Sequence, residues 1–135
     1  MNANVFLDTN ILVYSYSVNE LEKRTIARNL ILNNFSFIST QVLQELSNTI
    51  TRKLGFSFDD AIKVVEEMSK NNNLHTNTKI TILNACEIAA RYQLSFYDSM
   101  IVAAALESNC EILYTEDMQH NQIINNPLTI TNPFL

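Results

Sequence analysis

The sequence holds one glycine, Gly55, and two prolines in 135 residues. Loops that cradle phosphates in the Walker or dinucleotide manner need several glycines for close backbone approach, so nucleotide-dependent chemistry of those kinds is excluded. Internal repeats, low-complexity tracts and Pro/Gly-rich linkers are also missing. Apolar runs are broken within a few residues by Asn, Ser, Thr or charge, and none approaches the roughly 20 residues of a membrane helix. The start, Met1 to Asp8, has no basic region followed by an apolar run, so no secretory signal and a cytoplasmic location are expected. Cysteine is scarce. Cys86 and Cys110 lie far apart in apolar helical segments with no second ligand at metal spacing, and read as buried small hydrophobes. His75 and His120 sit in polar stretches without a ligand pattern and read as surface or turn residues. Positive charge is short as well: 9 Lys and Arg against 14 Asp and Glu leave a net charge of −5. That balance is unfavourable for binding nucleic acid. Lys23, Arg24 and Arg28 at helical spacing, with Arg52 and Lys53 at the end of the next helix, are either a solvated face or a nucleic-acid contact.

What is present is an apolar fraction of 47%, enough for one continuous core and a single domain over residues 1–135. Val5-Phe6-Leu7 reads as a strand that ends in Asp8-Thr9-Asn10, side chains suited to a helix N-cap, and a helical pattern follows through Ile11, Leu12 and Tyr14. Glu20 to Asn33 reads as a helix, Phe35 to Ser39 as a strand, and Gln41 to Leu54 and Phe58 to Lys70 as helices. Leu74 to Thr76 fits a short strand. Lys79 to Tyr92 reads as a helix with Ile82, Leu83, Cys86 and Ala89 inward. Tyr97 to Asn109 is apolar on every side, the mark of a buried helix, and Glu111 to Thr115 and Leu128 to Thr131 read as strands. Strands alternating with helices predict an α/β fold: three layers, α/β/α, around a mostly parallel sheet of four to five strands. Ligands of such sheets bind at the carboxyl ends of the strands.

Three of the five aspartates fall on that edge: Asp8 after the first strand, Asp98 at the start of the apolar helix, and Asp117 two residues beyond Thr115. Each alone is also a plausible helix cap. Together they pose an electrostatic problem. Carboxylates about 5 Å apart repel by about 3 kcal/mol per pair at an effective dielectric near 20, a large share of a domain's stability. With no Lys or Arg in the same loops, the natural neutraliser is a divalent cation, and an all-oxygen set selects Mg²⁺ or Mn²⁺ over zinc. Glu45 lies at the border of the apolar face set by Val42, Leu43, Leu46, Ile50 and Leu54. It is either a solvated helix glutamate or a fourth ligand reaching the same edge.

Val5 to Tyr14, Glu45 within Val42 to Leu46, Ser95 to Ile101, and Tyr114 to Met118 resemble, in order and spacing, the four acidic motifs of the PIN-domain nucleases. The resemblance spans nearly the whole chain, and in size the chain is similar to VapC-type toxins of type II toxin-antitoxin systems. Asn132-Pro133-Phe134 is also similar to the end of many such chains. The resemblance implies an endoribonuclease dependent on Mg²⁺ or Mn²⁺, with Asp8, Glu45, Asp98 and Asp117 as its acidic set. It implies that Asn10 and Thr115, and less directly Ser99, orient the carboxylates or a bound water. It further implies an RNA substrate, a small antitoxin that inserts a basic side chain among the carboxylates, and a homodimer.

The expected chemistry is in-line attack of water on phosphorus, with Glu45 or Asp117 accepting its proton or holding a second metal, and the resemblance implies products that carry a 5′-phosphate and a 3′-hydroxyl. Two other classes compete. A phosphoryl-accepting receiver or an aspartate-nucleophile phosphatase also has Asp after its first strand. The phosphatase expects a second Asp where this chain has Asn10, and both expect a late Lys where it has Glu116 and Asp117. A metal-binding interaction module without turnover, or an RNA-processing nuclease in place of a toxin, would share the carboxylates.

Overall fold

The computed structural model describes residues 3–135. Its elements run β1 (Asn4–Leu7), α1 (Thr9–Ser15), α2 (Leu21–Asn33), β2 (Phe35–Ser39), α3 (Thr40–Lys53), α4 (Phe58–Asn71), β3 (Asn73–His75), α5 (Lys79–Tyr92), α6 (Phe96–Glu107), β4 (Ile112–Tyr114), β5 (Ile123–Ile124) and β6 (Leu128–Thr131). The sheet order is β3-β2-β1-β4-β6-β5, parallel except for β5, which pairs antiparallel with β6. The expected three-layer α/β/α architecture is therefore present, with six strands where four to five were expected. The additional strand is Ile123–Ile124, too short to show a period of its own.

Connectivity decides where the site lies. From β1 the chain moves outward through β2 to β3, then returns across to β4 on the other side of β1. Right-handed crossovers put α1 to α4 on one face for the outward steps and α5 and α6 on the other for the return. β1 is thus the switch point of the sheet. The crevice beyond its carboxyl end opens between helices of the two faces, where open α/β sheets take their ligands.

β1, β2, α3, α6 and β4 supply the centre of the core. Phe6, Leu7, Ile38, Leu46, Ile50, Ile101 and Leu113 are fully buried or nearly so. Burying a side chain of that kind is worth about 1.5–3 kcal/mol. α6 is buried from Ser99 to Ala105, in keeping with its apolar sequence. α4 begins at Ser57 in a capping box with Asp60, so the acidic pair Asp59-Asp60 serves a helix start.

α5 departs from its expected orientation. The helix has the expected bounds, but its inward residues are Thr81, Ala85 and Ile88, while Ile82, Leu83 and Cys86 are exposed. Ala103 of α6 lines the same pocket as Asn84 and Ile88 of α5, and its small side chain favours a close-packed small face opposite. Thr81 can be buried there because its hydroxyl donates to Glu107 Oε2 at 2.8 Å. Cys86 is consequently exposed, whereas Cys110 is buried as expected. His75 also differs from a plain surface residue: it ends β3, is mostly buried, and its Nε2 lies 2.6 Å from Glu107 Oε2. His120 is exposed, and its Nδ1 accepts the Asn132 N–H. No helix among the described residues is long and apolar enough to cross a membrane.

Candidate active site

Asp8 follows the last residue of β1 and is the N-cap of α1, so the turn from strand to helix fixes its place at the switch point. It is only 6% exposed. Its Oδ1 accepts the Thr9 N–H at 2.7 Å and its Oδ2 accepts the Thr115 hydroxyl at 2.8 Å. The Asp8 N–H also donates to the Tyr114 carbonyl, which ties the ends of β1 and β4 together. Burial pushes the Asp8 carboxyl up from its ordinary 3.8 to about 7. The bonds from Thr115 and Thr9 hold it down, and the nearby Glu45 and Asp117 charges push it further up.

The turn after β4 supplies the second group. Thr115 Oγ1 accepts the Asp117 N–H at 3.1 Å and one Asn10 amide N–H at 3.2 Å. Asn10 also donates to Asp117 Oδ2 at 3.0 Å, and its Oδ1 accepts the Glu116 N–H at 3.4 Å. Asn10 and Thr115 therefore both contact acidic residues of the set: Thr115 donates to Asp8, and Asn10 donates to Asp117.

Glu45 reaches the same place from α3. Its Oε1 accepts the Thr9 hydroxyl at 2.6 Å, which links it to the residue beside Asp8. Gln41, one turn earlier on α3, donates to Glu45 Oε2 at 3.5 Å and to the Tyr97 carbonyl at 3.2 Å, joining α3 to the start of α6. Glu45 is half-buried and bonded within the cleft, the place that a ligand reaching the same sheet edge would occupy.

Asp98 stands in the first turn of α6, where Ser95 is the N-cap and its Oγ accepts the Asp98 N–H at 3.2 Å. The Asp98 carboxylate has no hydrogen-bond or ion-pair partner among the described residues and lines the cleft. Ser99 departs from expectation. It is fully buried, and its hydroxyl donates to the Ser95 carbonyl, because its position on α6 turns it away from Asp98 into the core.

Asp8, Glu45, Asp98 and Asp117 thus line one cleft of about 520 Å³, together with Thr9, Asn10, Tyr14, Asn48, Thr49, Lys53, Tyr97 and Glu116. Among the described residues, no three His, Cys, Asp or Glu side chains stand close enough to enclose an ion as they are. The donors nonetheless fit a hard divalent cation. They are carboxylate oxygens around Asp8, whose negative charge is disfavoured by burial and by its neighbours' charges, and one of them, Asp98, has no protein partner among the described residues.

The basic residues separate. Lys23 Nζ lies 3.2 Å from both Glu116 Oε2 and the Tyr14 hydroxyl, and 4.7 Å from the Tyr14 ring centroid. It is committed to Glu116. Arg24 and Arg28 donate to the carbonyls of Ser17 and Ser15, anchoring α2 to the end of α1. Arg52 is exposed and does not line the cleft, and Lys53 does. Thr9, Gln41, Tyr14 and Glu116 were not anticipated. Gln41 was legible as the residue one helical turn before Glu45, and Thr9 as the neighbour of Asp8.

A family model described as PIN domain matches residues 5–124. No curated protein sequence matches. Among solved structures the chain is similar to VapC20 of Mycobacterium tuberculosis, described as a Sarcin-Ricin loop cleaving toxin, with 18% identity, 84% of this chain and 89% of that chain covered, and a TM-score of 0.69. It is similar to a chain of a toxin-antitoxin complex from Klebsiella pneumoniae, with 18% identity, coverages of 96% and 97%, and a TM-score of 0.71. It is also similar to a chain of VapBC2 from Rickettsia felis bound to a DNA fragment from their promoter, with 19% identity, coverages of 96% and 99%, and a TM-score of 0.68.

Proposed function

Because the chain belongs to the PIN-domain family, we propose that it is an endoribonuclease dependent on Mg²⁺ or Mn²⁺, acting in the cytoplasm as the toxin of a toxin-antitoxin pair. The observation that carries this reading is the meeting of four carboxylates, from β1, α3, α6 and the turn after β4, in one cleft at the switch point of the sheet. VapC20 and the toxin-antitoxin complex chains share the fold over most of their length, which supports the toxin role and a small antitoxin as partner.

Asp8 and Asp98 would hold the cation, with Glu45 and Asp117 completing its surroundings. When bound, it offsets charge on the scissile phosphate and lowers the pKa of water. The chain's own groups set the rest. Thr115 and the Thr9 N–H each hold one Asp8 oxygen, so the carboxylate cannot turn away from the cleft. Thr9 fixes Glu45 Oε1, leaving Oε2 with only the long contact from Gln41 and free to accept the attacking water's proton. Asn10 orients Asp117 through Oδ2. The products carry a 5′-phosphate and a 3′-hydroxyl.

The test is cleavage of a mixed-sequence single-stranded RNA by the purified chain. Cleavage should require Mg²⁺ or Mn²⁺, cease with EDTA, and fall at least a hundredfold in Asp8→Asn and Asp98→Asn. Undiminished activity in either variant overturns the assignment, and inactivity under every divalent metal favours an interaction module without turnover.

A further inference from the structure

The wall of the cleft formed by α3 carries more than Glu45. Asn48, Thr49 and Lys53 also line it, at three, four and eight residues beyond Glu45, the spacing that keeps side chains on one side of a helix. The stripe runs about 12 Å along the helix axis away from the carboxylates. None of the three side chains has a hydrogen-bond or ion-pair partner among the described residues, whereas Asp8, Thr9, Asn10, Glu45, Glu116 and Asp117 at the head of the cleft are all bonded. Among the described residues, Lys53 is the one cation lining a cleft that also holds Asp8, Glu45, Asp98, Glu116 and Asp117. Basic residues in the last turn of a helix complement its dipole, and Arg52 and Lys53 both meet that need. The dipole does not explain why Lys53 faces the cleft, or why an amide and a hydroxyl precede it on that face.

We propose that Asn48, Thr49 and Lys53 form a phosphodiester-binding subsite, which holds the RNA backbone next to the bond being cut. The proposal rests on the nuclease reading for the direction of the chain, since the stripe begins at the carboxylates that would take the scissile phosphate. An RNA strand entering this acidic protein is repelled by the cleft's head. A lysine at its far end, with two neutral donors between it and the carboxylates, draws in the flanking phosphate and registers the strand. The α6 wall opposite, with Tyr97 at 67% exposure, leaves the channel open for an unpaired strand.

The experiment measures binding of a labelled single-stranded oligoribonucleotide by anisotropy, in Mg²⁺ and over a series of KCl concentrations, on the slowly cleaving Asp8→Asn protein. Adding Lys53→Gln should weaken binding about tenfold and reduce the slope of log Kd against log salt by about 0.7, the signature of one lost single-strand phosphate contact. Lys53→Arg should restore the slope, and Asn48→Ala should weaken binding severalfold with the slope unchanged. In wild-type protein, Lys53→Gln should raise KM and leave kcat within about twofold. An unchanged slope in Lys53→Gln, failure of arginine to restore it, or no binding by the parent overturns the subsite. Failure of wild-type protein to cleave RNA while the slope changes as stated would overturn the nuclease reading and leave the subsite standing.

Discussion

Replacing Asp8 by Asn should stabilise the protein at neutral and alkaline pH in metal-free buffer, although it removes a residue bonded on both oxygens. The folded chain holds the Asp8 carboxyl near 7, against 3.8 when unfolded, a difference of about 4 kcal/mol. Because the value is raised, the folded state binds more protons than the unfolded one between these values, and stability falls as pH rises. The contribution is fully present below about pH 4 and lost by the time pH passes about 7. Asn carries no charge to bury, and it still accepts the Thr9 N–H. It leaves the Thr115 hydroxyl without its acceptor, at a cost of about 1 kcal/mol. The variant should therefore be about 3 kcal/mol more stable than wild type near pH 8, a rise of about 10 °C in Tm, and about 1 kcal/mol less stable near pH 3.5. Urea unfolding followed by circular dichroism in EDTA across this range gives the difference directly. A difference that does not vary with pH, or a variant destabilised near pH 8, refutes the electrostatic argument.

Two further outcomes follow from the packing. A thiol reagent should label Cys86 in the native protein and leave Cys110 untouched until unfolding, because Cys86 is exposed while burial pushes the Cys110 thiol up to about 12. Tyr14→Phe should cost about 1 kcal/mol in urea unfolding, as its hydroxyl donates to Glu116 and accepts from Lys23; the remaining Lys23 to Glu116 pair is partly exposed and contributes less.

Much of the fold was legible because its signals are local. Asp8 after an apolar strand, the bounds of β2 and α5, and the all-apolar α6 each follow from a few adjacent residues. The inward face of α5 was not. Apolar residues occur on both sides of that helix, and the choice was made by Ala103 and Glu107 of α6, which are distant in sequence. Glu45 was undecided for the same reason: its partner, Thr9, lies 36 residues away. Ser99 sits beside Asp98 in sequence, but adjacent residues on a helix point about 100° apart, and the core took its side chain. Lys23 had the charge for RNA, yet only the folded chain brings Glu116 to it. The cleft's acidic members could be read in the sequence, while the division of labour among its cations could not.

On this account the carboxylates of the cleft together bind a divalent cation. Titration of the wild-type protein with Mn²⁺, with free ion counted by electron paramagnetic resonance, tests it without relying on turnover. Saturable binding that strengthens as pH rises through about 7 and is lost in both Asp8→Asn and Asp98→Asn, with folding intact, is the predicted result. Equal Mn²⁺ uptake by wild type and both variants, or none by wild type, would contradict it.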